Sequence, residues 1–134
     1  MKHYSKLLKW YKIQSYKFPW RDNKKPYNIW ISEIMLQQTQ VQTVIPYYNK
    51  WINKYPTIEK LKDASIDQLL LLWQGLGYYR RVHNILLTAK TVCLKYNNRL
   101  PQSYTQLIEL PGIGDYTASM ILSISFNQNI HIPI

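Results

Sequence analysis

Residues 110–117 read Leu-Pro-Gly-Ile-Gly-Asp-Tyr-Thr, a Gly-x-Gly turn between two short helical patterns. This turn constrains the chain to a hairpin of two helices, because Gly112 and Gly114 can adopt the positive φ of a tight turn. Neither glycine has a Cβ atom, so a ligand can approach the backbone closely. Asp115 is placed to cap the second helix, whose free N–H groups and dipole favour an anion. The segment therefore predicts a helix-hairpin-helix whose exposed end suits a phosphate of a nucleic-acid backbone.

The rest of the chain is also predicted to be helical. Apolar residues recur at helical spacing, and strand-like alternation appears only weakly in the last five residues. Asn28 is expected to cap one helix, and the capping boxes Ser65-x-x-Gln68 and Ser103-x-x-Gln106 each predict the start of another. The predicted helices lie before Phe18, over about 28–39, 43–55, 65–75 and 82–96, from Ser103 onward, and over 118–125. These features indicate an all-α chain without repeats or a linker.

Composition limits the classes of function. A length of 134 residues allows one domain, and a net charge of +10 indicates a polyanionic partner. Cys93 is the only cysteine, which excludes a disulfide scaffold and a cysteine-based zinc or iron–sulfur site within the chain. The three histidines, His3, His83 and His131, lack the spacing of metal ligands. We therefore expect no metal or cofactor of the chain's own. No apolar run is long enough to span a membrane, and we expect an intracellular protein.

Glu33 is the first candidate for chemistry. It lies in the apolar run Trp30-Ile-Ser-Glu-Ile-Met-Leu36, where burial is expected to favour the neutral form of a carboxyl group, as suits a general acid. Gln37 follows one turn later on the same face, and Gln38 extends a polar tip whose amides could bind base edges. The structural alternative is that Glu33 pairs with a basic residue or points out through a gap in the core.

Two further segments combine aromatic and basic side chains. In Gly75-Leu-Gly-Tyr-Tyr-Arg-Arg81, Tyr78 or Tyr79 could wedge between bases while Arg80 and Arg81 contact phosphates. The same residues could equally form core rings and a solvated helix start. Trp20 and Arg21 combine an aromatic plane with a guanidinium, an arrangement suited to holding a base.

These segments together resemble the MutY-type adenine DNA glycosylases, which remove adenine mispaired with 8-oxoguanine or guanine. The resemblance runs from about residue 18 to residue 126 and covers the N-terminal part of that family. The matching strings are Pro19-Trp-Arg21, Ser32-Glu-Ile-Met-Leu-Gln-Gln-Thr-Gln-Val41, Thr43-Val-Ile-Pro-Tyr-Tyr48, Leu72-Trp-Gln-Gly-Leu-Gly-Tyr-Tyr79 and Leu110-Pro-Gly-Ile-Gly-Asp-Tyr-Thr-Ala118.

The resemblance implies a helix-hairpin-helix DNA glycosylase fold. It implies a six-helix barrel over residues 18–126, with the helix-hairpin-helix at about 103–125. Residues 1–17 would be the N-terminal helix of a second, iron–sulfur lobe, and residues 127–134 a truncated tail. A 4Fe-4S cluster is then expected only if a C-terminal part is supplied, since the chain has no ligands for one.

The same resemblance implies roles for individual residues. Glu33 matches the catalytic acid, and Tyr116 matches a residue that stabilises the sugar cation, where related endonuclease III lyases carry a Schiff-base lysine. Gln38 and Tyr78 match residues that insert into the duplex, and Trp20 and Arg21 match part of the adenine pocket. DNA contacts are expected from the set Gln37, Gln38, Tyr78, Arg80, Gly112, Gly114 and Thr117.

One expected residue is missing. The family's catalytic aspartate would fall at Ile134, so the chain is expected to be a truncated fragment, or the product of a frameshifted gene, that is inactive or weakly active. The expected partner is double-stranded DNA with A:8-oxoguanine or A:G mispairs, bound by a monomer without a membrane, in a bacterial cytoplasm or nucleoid or in an organelle. Two alternatives remain open, a non-enzymatic helix-hairpin-helix DNA-binding module and an endonuclease III-like lyase.

Overall fold

The computed structural model describes residues 19–21 and 24–127, and these ranges contain helices and no strand. The predicted first helix, the segment 1–17 and most of the predicted tail, including Ile134, lie outside the described residues. A short 3-10 helix spans Pro19–Arg21. The α-helices are α1 Pro26–Leu36, α2 Val41–Lys54, α3 Ile58–Lys62, α4 Ile66–Trp73, α5 Arg80–Lys95, α6 Tyr104–Ile108 and α7 Asp115–Ser125.

Both predicted helix starts are confirmed, with Ser65 and Ser103 as the N-cap residues. The Ser65 hydroxyl accepts a hydrogen bond of 3.1 Å from the Gln68 amide at the start of α4, and Ser103 accepts one of 3.3 Å from Gln106 at the start of α6. Thr57 caps the short helix α3 in the same way. The sequence prediction missed α3, because five residues contain too few positions to show helical spacing.

The prediction that Asn28 caps a helix is wrong. Helix α1 begins at Pro26, where the fixed φ of proline suits the first turn and its missing N–H is not needed. Asn28 lies inside the helix and is buried, and its amide donates a hydrogen bond of 3.0 Å to the Tyr48 hydroxyl of α2. Helix α2 likewise begins before the predicted Thr43, at Val41, which places Pro46 inside the helix.

The central element is α1. Its residues 27–35 are all buried, as expected for a helix whose sequence is apolar on nearly every face. It packs against α2 on one side and α7 on the other, while α5 packs against α3 and α4. The hydrophobic core thus includes the helix that carries Glu33, and this carboxyl group lies within that core.

A buried hydrogen-bond network joins α1 to α2. The Tyr27 hydroxyl donates to the carbonyl oxygen of Tyr55 over 2.5 Å and accepts from the Trp51 indole over 3.2 Å. Burial raises the pKa of Tyr27 well above its ordinary value. The Trp51 ring also packs edge-on against Trp73, with ring centroids 5.8 Å apart, which connects this network to α4.

Candidate functional site

The hairpin forms where the sequence predicts it, with different capping. Helices α6 and α7 flank a turn in which Gly112 has φ +80°, and a Cβ there would lie 3.1 Å from the Cβ of Asn84. Gly114 has φ −96° and is itself the N-cap of α7. The predictions that Gly114 uses positive φ and that Asp115 caps α7 are therefore wrong. The Asp115 carboxylate instead accepts a short hydrogen bond from the Tyr104 hydroxyl, which ties the two hairpin helices together.

The hairpin is anchored to the rest of the fold and keeps its turn exposed. The Thr88 hydroxyl of α5 donates a hydrogen bond of 2.8 Å to the carbonyl oxygen of Pro111. Ile113 is buried, whereas Gly112 and Gly114 face solvent. In the first turn of α7, the N–H groups have no carbonyl partner within the helix, so the exposed turn presents a site suited to an anion.

Glu33 and the glutamine tip lie on one helix end. Glu33 is 3% exposed, and α1 ends one turn later at Leu36. The exposed Gln37 donates a weak hydrogen bond of 3.5 Å from its amide to the hydroxyl of Thr117 in α7. Helix α1 is thus joined to the helix that carries Tyr116.

The two hairpin residues predicted to act on DNA differ in exposure. Tyr116 is 38% exposed and lies in the first turn of α7. Thr117 is buried and its hydroxyl accepts from Gln37, so that hydroxyl faces the protein. A contact of Thr117 with a phosphate would therefore have to use its backbone N–H group.

Gln38 and Tyr78 lie on one cavity, although they belong to different loops. Both residues are in the left-handed region, with φ 60° and φ 50°, where side chains other than glycine are strained. Both are exposed, Tyr78 to 63%. The cavity has a volume of about 280 Å³ and is lined by Gln37, Gln38, Tyr78, Arg80, Arg81 and Asn84.

The two arginines after Tyr79 have different surroundings. Arg80 is exposed, as a phosphate contact requires. Arg81 is partly buried, and its guanidinium donates to the carbonyl oxygens of Ile34 over 2.5 Å and of Gln37 over 2.9 Å. The expectation that Arg81 contacts phosphates therefore does not match its position, because its donors are directed at the C-terminal end of α1.

The predicted adenine pocket is not open at Trp20. The indole is fully buried and packs edge-on against Tyr48, with ring centroids 5.1 Å apart. As it lies, this ring is a core residue and has no exposed face for a base. The Arg21 side chain lies outside the described part of the chain.

Sequence reasoning missed Asn84 as part of the site. Asn84 lies one turn after Arg80 and Arg81 in α5, on the face that borders the cavity, and it also contacts the Gly112 turn. Helical spacing of three and four residues was the signal that could have identified it. Asn84 thus connects the cavity to the hairpin.

The described residues do not fit a cluster of metal ligands. No group of three or more His, Cys, Asp or Glu side chains lies together within them. The Cys93 thiol donates to the carbonyl oxygen of Ile58 over 3.8 Å, and burial raises its pKa, which disfavours the thiolate that a metal would bind. One thiol does not fit a four-cysteine cluster. Among the described helices, none is long and apolar enough to cross a membrane.

The chain is similar in sequence to adenine DNA glycosylases. Adenine DNA glycosylase of Buchnera aphidicola subsp. Baizongia pistaciae (strain Bp) is 54% identical over 125 residues, which are 92% of this chain and 36% of that protein. Adenine DNA glycosylase of Mus musculus is 41% identical over 133 residues, 92% of this chain and 26% of that protein. The chain therefore spans about a third or less of the length of these relatives.

Solved structures share the fold. A thermostable thymine-DNA glycosylase superimposes with a TM-score of 0.80 at 27% identity, over 92% of this chain and 58% of that one. A non-covalent endonuclease III–DNA complex superimposes with a TM-score of 0.72 at 25% identity, over 77% of this chain and 49% of that one. The profile described as "HhH-GPD superfamily base excision DNA repair protein" matches residues 31–131, more than half of the chain. The chain belongs to the HhH-GPD superfamily of base excision DNA repair proteins.

Proposed function

We propose that the described residues form the part of an adenine DNA glycosylase that binds DNA and carries the catalytic acid. The carrying observation is the position of Glu33, a buried carboxyl group one turn before an exposed glutamine tip that shares a cavity with Tyr78. The adenine DNA glycosylases of Buchnera aphidicola and Mus musculus support the choice of base, since both match over 92% of this chain.

The site offers separate parts for gripping and for opening the duplex. An enzyme that acts on a base must flip it out of the stack, which requires a wedge and a hold on the backbone. Gln38 and Tyr78 would supply the wedge from the two edges of the cavity. The exposed Gly112–Gly114 turn and Arg80 would hold phosphates through backbone N–H groups and charge.

Glu33 would act as general acid on the flipped adenine. Burial favours the protonated form of a carboxyl group in general, and that form can donate a proton to the leaving base. The C1′–N9 bond then breaks with its electrons on the protonated base, which leaves as neutral adenine. Water adds to the C1′ atom of the sugar cation and gives its proton to the Glu33 carboxylate, which restores the acid. Tyr116, exposed at the start of α7, would border the sugar on the hairpin side.

The specific substrate we propose is adenine opposite 8-oxoguanine or guanine in double-stranded DNA. We propose that the protein binds it as a monomer, in the cellular compartment that contains the DNA. The position that the family resemblance gives to a second carboxylate holds Ile134, outside the described residues. We therefore expect these 134 residues to bind the mispair in preference to an A:T pair, but to hydrolyse the glycosidic bond slowly or not at all.

The test uses two matched variants. Glu33→Gln keeps the size of the side chain and removes the proton donor, while Glu59→Gln makes the same charge change at an exposed position of α3. Base release from an A:8-oxoguanine duplex is measured under single-turnover conditions, with alkali cleaving the abasic product. We expect Glu33→Gln to lose about 100-fold or more of any release rate, and Glu59→Gln to match the parent chain.

Binding provides the second measurement, because it does not depend on turnover. A duplex with an uncleavable 2′-fluoro adenosine opposite 8-oxoguanine should compete better than an A:T duplex of the same sequence. Equal binding of both duplexes with no release would indicate the non-enzymatic DNA-binding module. A borohydride-trapped covalent adduct would indicate a lyase, and full activity of Glu33→Gln would contradict the role given to Glu33.

A further inference from the structure

One guanidinium contacts both strained loops of the cavity. The Arg81 Nη1 atom donates to the carbonyl oxygen of Gln37 over 2.9 Å, and its Nη2 atom donates to the carbonyl oxygen of Gly77 over 3.4 Å. Gln37 and Gly77 are the residues immediately before Gln38 and Tyr78, the two left-handed residues. A single side chain therefore holds the peptide group that precedes each strained residue.

These loops need such a support, because left-handed backbone persists at ordinary residues only when the surroundings impose it. Around Gln38 the local backbone bonds are long, including 3.3 Å from the Thr39 amide to the carbonyl oxygen of Leu36. The Gly77 carbonyl accepts a second bond of 2.9 Å from the Trp73 indole. Arg81 is thus the shared contact, and Trp73 reinforces one side of it.

Two aromatic rings lie close to the guanidinium of Arg81. This guanidinium lies 5.1 Å from the ring centroid of the buried Trp73 and 5.4 Å from that of Tyr78. Burial lowers the pKa of Arg81, but an arginine stays charged at any physiological pH. A lysine could carry the charge, but it lacks the planar fork that reaches two carbonyl groups at once.

We propose that Arg81 is a positioning residue that fixes Gln38 and Tyr78 relative to each other, so that both enter the DNA duplex together. The identity of these two residues as wedges rests on the proposed function. The mechanical part, one guanidinium that stabilises two loops, rests on the contacts alone. The two parts can therefore fail separately.

The first experiment tests the mechanical part in the free protein. Amide hydrogen exchange is compared between the parent chain, Arg81→Lys and the control Arg99→Lys, which changes an exposed arginine away from the cavity. In Arg81→Lys, we expect the exchange rates of the amides in 37–40 and 77–80 to rise together, by about tenfold. In Arg99→Lys, we expect the exchange rates of both segments to stay as in the parent chain. Unchanged exchange, or a rise in only one segment, would overturn the proposal.

A measurement on the parent chain covers the case in which Arg81→Lys does not fold. The Arg81 Nη1 atom donates to the carbonyl oxygens of Ile34 and Gln37, and the Nη2 atom donates to that of Gly77. In a spectrum of ¹⁵N-labelled arginine, this guanidinium should therefore show slow rotation about both Cζ–Nη bonds, unlike that of Arg99. Rotation as fast as that of Arg99 would contradict the proposal without any variant.

The second experiment tests the consequence for DNA. A 2-aminopurine placed beside the A:8-oxoguanine pair becomes fluorescent when it is unstacked by a wedge. At saturating protein, Arg81→Lys should give less than half of the parent signal, with affinity for a fully paired duplex within about twofold. A full signal from Arg81→Lys would overturn the positioning role. The parent chain could give no fluorescence signal while Arg81→Lys shows faster exchange in both loops. This outcome would count against the proposed function but would still support the stabilisation of the two loops by Arg81.

Discussion

The hydroxyl oxygen of Tyr47 lies closer to the position that a Cβ atom at Gly75 would take than two nonbonded atoms can approach. Tyr47 is held there because its hydroxyl donates a hydrogen bond of 2.6 Å to the carbonyl oxygen of Gln74. Gly75 also has φ +101°, which side chains rarely adopt. This contact joins α2 to the loop between α4 and α5, the loop that carries Tyr78.

Gly75→Ala is expected to be more destabilising than Gly77→Ala. Both glycines have positive φ, but a Cβ at Gly77 would meet no atom within 4 Å. Backbone strain alone should lower the free energy of unfolding by about 1 kcal/mol at Gly77, and the added clash should bring the loss at Gly75 to about 2–4 kcal/mol. Urea denaturation followed by circular dichroism measures both values.

The Tyr47 hydroxyl can be separated from the backbone strain by a double-mutant cycle. In a Tyr47→Phe background the obstructing oxygen is absent, so Gly75→Ala should cost about 1 kcal/mol less than in the parent chain. Equal losses at Gly75 and Gly77, or no coupling with Tyr47, would show that the contact does not constrain the loop.

The hairpin glycines should separate stability from DNA affinity. Gly114 has negative φ and open space around its Cβ direction, so Gly114→Ala should cost less than about 1 kcal/mol. The new methyl group would stand at the N-terminus of α7, and we expect the Kd for duplex DNA to rise about tenfold. Fluorescence anisotropy at fixed salt measures this affinity.

Gly112→Ala is the comparison. Its positive φ and the 3.1 Å approach to the Asn84 Cβ predict a loss of about 1–3 kcal/mol in the free energy of unfolding. Unchanged DNA binding by a folded Gly114→Ala chain would contradict the assignment of this turn as the phosphate site.

Substitutions at Gln38 should follow backbone strain rather than side-chain size. At φ 60°, Gln38→Gly should change the free energy of unfolding by less than about 1 kcal/mol, because glycine relieves strain while adding chain entropy. Gln38→Val should lower it by about 2 kcal/mol, because a β-branched residue is poorly tolerated there. Both should reduce the preference for an A:8-oxoguanine duplex over an A:T duplex.

Gln42, an exposed residue within α2, is the control for this ranking. In a helix the order is reversed, and Gly should be less stable than Val by about 0.4 kcal/mol. Chemical denaturation of the four variants gives both orders, and the same order at Gln38 and Gln42 would show that the left-handed turn is not maintained in solution.

Tyr27 should make the protein sensitive to alkali. Burial raises its pKa above the ordinary value of about 10, so the unfolded chain loses the phenolic proton first as the pH rises. Its contribution to stability is therefore complete below about pH 10 and declines above it. Burial also raises the pKa of Tyr48, which adds to the same decline.

Tyr27→Phe should lower the free energy of unfolding by about 1–3 kcal/mol at pH 7, because the Tyr55 carbonyl and the Trp51 indole lose a buried partner. It should also flatten the decline between pH 10 and pH 11. Urea melts at each pH, with Tyr96→Phe as the control, measure the slope, and an unchanged slope in Tyr27→Phe would contradict the assignment.

Local features were predictable from the sequence. The capping serines, Ser65 and Ser103, and the hairpin turn depend on residues a few positions apart, so their spacing is visible in one dimension. The boundary of α1 was mispredicted, because a proline at the first turn and an asparagine cap are competing local signals and the burial of Asn28 against Tyr48 decided between them. The roles of Glu33, Gln38 and Tyr78 on DNA stay predictions.

The sequence by itself determined the helical class, the capped helix starts, the hairpin and the family to which the chain belongs, because these depend on local spacing and residue type. Only the tertiary structure decided which of two adjacent arginines turns inward, since Arg81 contacts Ile34, 47 positions away. It also decided the burial of Trp20 and the contact of Gln37 with Thr117, 80 positions away. Such contacts depend on how the helices pack, because packing brings together side chains whose spacing along the chain carries no signal.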